Sequence, residues 1–223
     1  MNLIKVTCEL RYSERMPLFK GYELIYNDLQ SKTPEHPDQW IMPGLRIEDK
    51  DKKAIWLIDP VRSAIDVEQP NDIETCKKAV IGFFEVVHKR IDFPSIARYG
   101  MRTTWIKEYH GSFQDFVDTF KQKFYADVNL LKKASDVGVM FNLSLSADQK
   151  ISVTFGPMEY EQLKIQFLRF ESHSFPKIFL YTDVDFGDTL IKSFSHEHIT
   201  NFFDKAISEG QKISTELGET FGV

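Results

Sequence analysis

Cysteine is nearly absent. Cys8 and Cys76 are the only two in 223 residues, too few for the disulfide frameworks of small secreted scaffolds. No run of ~18 apolar residues occurs, which excludes a membrane-spanning helix. An excess of basic charge is missing as well. Lys and Arg total 28 against 33 Asp and Glu, a net charge of −5, whereas a dedicated nucleic-acid binder needs a cationic face to neutralise phosphates. There is no glycine-rich phosphate loop, no Gly-x-Ser-x-Gly elbow and no dinucleotide fingerprint.

What is present is the composition of a globular chain: 42% hydrophobic, 27% charged and 13% aromatic, with 19 phenylalanines. Such a chain is too apolar to stay disordered. Each fully buried phenylalanine stabilises the fold by ~1.5–3 kcal/mol, so a phenylalanine-rich core is expected. The first residues alternate, with Ile4, Val6, Cys8 and Leu10 set against Lys5, Thr7, Glu9 and Arg11. That is the period of a half-buried strand and not the pattern of a signal peptide. The expected compartment is therefore the cytoplasm, with both cysteines as buried thiols.

A helix is expected from Pro17 through Leu29, followed by a proline-bounded loop at Thr33–Asp38. Strands are expected at about 41–48, 54–59 and 62–68, with Asp49–Lys53 as a solvated hairpin tip. Asn71 or Asp72 caps a second helix whose stripe is Ile73, Cys76, Val80, Phe83, Phe84, Val87 and Ile91. A strand at about 96–108 leads to Ser112, the cap of a third helix with Phe113, Phe116, Val117, Phe120 and Phe124 on one face. The segment 137–186 reads as four strands in succession: Val137–Leu145, Ile151–Phe155, Leu163–Phe167 and about 177–185. Ser195 caps the last helix, striped by Ile199, Phe202, Phe203, Ala206, Ile207, Gly210, Ile213 and Leu217.

The fold class that follows is α+β, with antiparallel meanders and helices packed on one face. The order suggests a duplicated β-α-β-β-β-α unit, with halves 1–93 and 94–223 that can form one compact domain. A doubly wound nucleotide fold is disfavoured, because parallel strands need a crossover between them.

Two motifs stand out. Arg98-Tyr99-Gly100-Met101-Arg102 puts two arginines and a glycine on one face of a strand. Either the pair binds a carboxylate or phosphate, with the glycine leaving backbone open to a close-approaching group, or each arginine pairs with an acid such as Glu9 on a neighbouring strand. Asp183 and Asp185 are likewise co-facial, able in principle to hold a hard cation or to split into acid and base roles, or else simply solvated or capping a turn. His196 and His198 stand two apart at a helix start, the wrong spacing for a shared metal. With its N-terminal strand-to-helix segment, its Arg-x-Gly-x-Arg strand and the strand Ile178–Asp185 ending in Asp-x-Asp before an amphipathic helix, the chain resembles a sporadically distributed bacterial family of about this length. The resemblance implies a fold and no chemistry.

No nucleophile–base constellation, metal set or cofactor motif is present in the sequence, so no catalytic residue is expected. The expected function is a non-catalytic binding or protein-interaction module, using an exposed part of the last helix's stripe for a protein partner or for self-association. The alternative is a small-molecule or anion-binding protein, or an enzyme, with a polar pocket made by Arg98, Arg102, Asp183 and Asp185.

Overall fold

The computed structural model describes residues 2–14, 24, 25, 28, 39–41, 44–91, 95–125, 133–170 and 175–222. The helix expected at 17–29 and the loop at 33–38 lie largely or wholly outside the described residues. In chain order the elements are β1 (Asn2–Tyr12), β2 (Gln39–Ile41), β3 (Gly44–Asp49), β4 (Ala54–Asp59), β5 (Arg62–Glu68) and α1 (Ile73–Arg90), then β6 (Ile96–Glu108), α2 (Phe113–Phe124), β7 (Val139–Ser144), β8 (Gln149–Glu159), α3 (Tyr160–Gln166), β9 (Ile178–Asp188) and α4 (His196–Phe221).

The nine strands among the described residues form one antiparallel sheet in the order β2-β3-β4-β5-β1-β6-β9-β8-β7. The first strands of the two sequence halves, β1 and β6, meet at its centre, with Cys8 opposite Met101 and Glu9 opposite Gly100. Alternation along each strand then sorts side chains onto two unlike faces. One face carries Val6, Cys8, Leu10, Met101, Val153, Val184 and Phe186, all buried in the main core. The helices α1, α2 and α4 cover it with Phe84, Phe120, Phe203 and their neighbours.

The helices begin where their capping residues stand. Asp72, Ser112 and Ser195 each accept a hydrogen bond from the backbone N–H three residues on, closing the first turn. The apolar stripe of α4 is spent on the core: Ile199, Phe202, Phe203, Ala206, Ile207 and Ile213 are buried against the sheet. The expectation that part of this stripe is free for a partner is therefore corrected. Gly210 permits the close approach, since a Cβ there would lie 2.6 Å from Thr103 Oγ1 and 3.1 Å from Trp105 Nε1.

A second correction concerns 137–186, where three strands stand in place of four. β8 runs unbroken through the expected turn at Gly156–Glu159, pairing Pro157 with Leu180. Leu163–Phe167, expected as a strand, is the helix α3 and its C-cap. Glu159 and Gln162 form a reciprocal capping box that starts this helix. Of its apolar residues Leu163 is buried while Ile165 is 82% exposed, so the alternation in sequence marks no half-buried strand. α3 lies on the face opposite the other helices, closing a small cluster of Ile4, Ile106, Met158, Leu163 and Phe179 at one end. No helix among the described residues is long and apolar enough to cross a membrane.

Candidate functional site

The face not covered by α1, α2 and α4 is polar. Across its centre, strand register sets Asp66, Thr7, Arg102 and Asp185 in one row and Ala64, Glu9, Gly100 and Gly187 in the next. The four residues singled out in the sequence thus come together, because β6 and β9 are neighbours with Arg102 opposite Asp185 and Thr104 opposite Asp183.

They come together as ion pairs. Arg98 Nη1 donates to Glu9 Oε1 at 3.0 Å and Arg98 Nη2 to Asp185 Oδ1 at 2.6 Å. Arg102 Nε donates to Asp183 Oδ2 at 2.6 Å, and Thr104 Oγ1 donates to Asp183 Oδ1 at 3.0 Å. Both oxygens of the buried Asp183 are engaged, so the arginines stand where a bound cation would have to sit. Among the described residues there is no group of three or more His, Cys, Asp and Glu placed to hold a metal ion. His196 Nδ1 instead meets Glu85 Oε1 at 2.6 Å, which ties α4 to α1.

The glycines have an unexpected occupant. A Cβ on Gly100 would lie 2.6 Å from Arg98 Nη1, and one on Gly187 would lie 2.7 Å from Arg98 Nε. The close-approaching group is the guanidinium of Arg98 itself, laid across the paired glycines. Arg102 differs. Its side chain is 53% exposed while Asp183 behind it is 6% exposed. The hydrogen bond that Arg102 donates to Asp183 raises the Arg102 pKa against the opposing effect of burial, so the cation is held in place with about half of its side chain open to solvent. Nearby Tyr181 is also raised, first by burial and then by the Asp183 charge.

Beside Arg102 the face is hollowed into a groove of about 930 Å³ over β1, β3, β4, β5 and β6. Small and apolar side chains, Thr7, Gly44, Ile55, Leu57 and Ala64, contribute to its lining. Charged side chains complete it: Lys5, Arg46, Arg62, Arg102 and Arg169 against Glu9, Asp59 and Asp66. The last residue of α3 and the segment after it close one end, with Gln166, Phe167 and Arg169 in the wall. Glu68, buried at 1% exposure, anchors that segment. Its Oε2 accepts from the backbone N–H groups of Arg169 (2.9 Å) and Phe170 (3.1 Å), and Lys5 Nζ bridges Glu68 Oε1 (3.3 Å) to the Phe167 carbonyl (3.2 Å).

The carboxylates of the described lining face cations: Glu9 meets Arg98 and Arg11, Asp59 meets Arg62, and Asp66 lies 3.5 Å from Lys5 Nζ. Sequence reasoning found Arg102 but missed Lys5, Arg46, Arg62, Arg169 and Glu68. The alternation of β1 marks Lys5 as facing away from the core, yet nothing local says that β3, β4 and β5 lie beside it. Comparison with known proteins gives no match, either to a protein-family model or to a curated protein.

Proposed function

We propose that this chain is a non-catalytic binding protein of the bacterial cytoplasm whose groove takes a small ligand with an anionic head and an apolar body. One observation carries the reading. In a chain of net charge −5, the groove lining holds five basic side chains, Lys5, Arg46, Arg62, Arg102 and Arg169, against three acidic ones. In a concave, partly apolar site these guanidinium forks offer paired donors to an anion, with Arg46 and Arg169 sharing a single carboxylate, Glu48. Arg102, braced from behind by Asp183, supplies the fixed fork that a carboxylate or phosphate prefers. Arg98 and Asp185 serve the site indirectly, by joining Glu9 to β9. The free, buried thiols fit a reducing compartment. The assignment to bacteria rests on the family resemblance alone.

Thermal denaturation with a panel of aliphatic and aromatic carboxylates, phosphate monoesters and neutral isosteres tests this. An anionic compound at 100 times its dissociation constant stabilises by ~2.7 kcal/mol, a rise of about 5–10 °C for a chain of this size. Arg102→Gln then weakens its binding at least tenfold; it also takes the charged partner from the buried Asp183, so the free variant melts lower and its ligand-induced rise is read against its own baseline. A panel in which no anion raises the melting point, or in which Arg102→Gln binds the same anion equally well, overturns the proposal.

A further inference from the structure

Among the described residues, the last strand in the sheet order is an unpaired edge of unusual composition. β7 pairs with β8 on one side and ends the strand order on the other. Natural sheets blunt such edges with charge, proline, a bulge or extreme shortness. The opposite edge, β2, has three residues. β7 has six, its register with β8 is unbroken from Val139 to Ser144, and the run Val137–Ala147 around it contains neither a charged residue nor a proline. Met140 is 70% exposed, and Leu143 and Leu145 are 39% and 44% exposed.

Ladder parity shows what the edge offers. Leu145 N donates to Gln149 O at 2.9 Å. Antiparallel ladders alternate between hydrogen-bonded and non-hydrogen-bonded pairs, so Val139, Phe141 and Leu143 direct their backbone groups to β8. Met140, Asn142 and Ser144 direct theirs to the open side.

We infer that β7 pairs antiparallel with β7 of a second copy of this chain, about a twofold axis through Asn142, joining two sheets into one. This register sets the outward-directed residues of the two copies against one another as the ladder parity requires. Asn142 faces Asn142, and Met140 faces Ser144, each as a hydrogen-bonded pair. On the core side Phe141 meets Leu143 across the axis in the closer, non-hydrogen-bonded spacing. Phe141 already packs on the main core, so the contact extends that core across the interface. A net −5 chain meets its own copy most easily along an uncharged strand. The pairing consumes the long edge of both copies, so it closes at two. It is independent of the groove, which lies on the other side of the sheet centre.

Sedimentation velocity from micromolar to hundreds of micromolar protein, with hydrogen exchange of peptides covering 139–144, reads the result. The expected outcome is a monomer–dimer equilibrium with slower exchange in those peptides as concentration rises. Asn142→Lys sets two ammonium groups face to face and yields a folded monomer, shown by an unchanged melting curve at low concentration. Met140→Lys with Ser144→Lys also dissociates the dimer. Met140→Lys with Ser144→Glu forms reciprocal cross-strand pairs and keeps it, which a different register or a different interface would not do. A wild-type chain that stays monomeric throughout, one that grows beyond two copies, one that pairs with another protein's strand in preference to itself, or one whose dimer survives Asn142→Lys overturns the inference.

Discussion

Replacing Glu68 isolates one device of the open face, the anchor that holds the end wall of the groove. Glu68 accepts from Arg169 N at 2.9 Å and Phe170 N at 3.1 Å, and meets Lys5 Nζ at 3.3 Å. Hydrogen bonds to a charged group contribute ~1.5–3 kcal/mol each. Glu68→Ala removes all three, but Arg169 is exposed and its N–H can turn to water, while Lys5 keeps the Phe167 carbonyl and Asp66. The loss therefore falls below the sum of ~4.5–9 kcal/mol, at about 3 kcal/mol, or a fall in melting temperature of about 6–12 °C. Glu68→Gln keeps one oxygen for both backbone donors and turns an N–H toward Lys5, so it costs about 1 kcal/mol and about 2–4 °C. Thermal denaturation gives the ranking. Hydrogen exchange of the peptide containing Arg169 and Phe170 gives the mechanism: protection is lost in the alanine variant and kept in the glutamine variant. Equal melting temperatures for the two variants, or an alanine variant within ~1 °C of wild type, refutes the anchor.

Two helix glycines make a matched pair of opposite sign. Gly82 in α1 has nothing within 4 Å of an added Cβ, so Gly82→Ala raises stability by up to ~1 kcal/mol through helix propensity. Gly210→Ala sets its Cβ 2.6 Å from Thr103 Oγ1, where overpacking of ~1–3 kcal/mol outweighs the same gain; urea unfolding of both variants checks the signs. The thiols give a pH dependence. Burial pushes Cys76 up to about 12 and Cys8 higher still, whereas an unfolded thiol ionises near ~8.5. Their contribution to stability is complete below ~8.5 and is lost as pH rises toward the folded value, at up to ~1.4 kcal/mol per pH unit for each thiol. Unfolding midpoints from pH 8 upward therefore fall more steeply for the wild type than for a Cys8→Ala, Cys76→Ala double variant; parallel slopes refute this. The same thiols resist a thiol-specific reagent until the chain unfolds, which absorbance at neutral pH measures.

Local chemistry made much of the architecture legible. Period-two alternation in β1 and β7, the three-to-four spacing in α1, α2 and α4, and the caps at Asp72, Ser112 and Ser195 are short-range signals, written within a turn or a few strand residues. Those signals misled at 163–167, where Leu163, Ile165 and Phe167 alternate like a strand. The decisive interaction there is a capping box between Glu159 and Gln162, and alternation alone is blind to it.

The site divides along the same line. The sequence by itself determined that Arg98 and Arg102 share a face, as do Asp183 and Asp185, because side-chain direction alternates along any strand. Strand order belongs to the tertiary structure, which set β6 against β9 and so turned two motifs into ion pairs. It also laid Arg98 over Gly100, which looked open, and over Gly187 beside it, and gathered Lys5, Arg46, Arg62 and Arg169 around Arg102 from four distant parts of the chain. Residues brought together by backbone pairing between distant strands leave no periodic trace, since the hydrogen bonds that choose a strand's neighbour are made by the same main-chain groups whatever the side chains are.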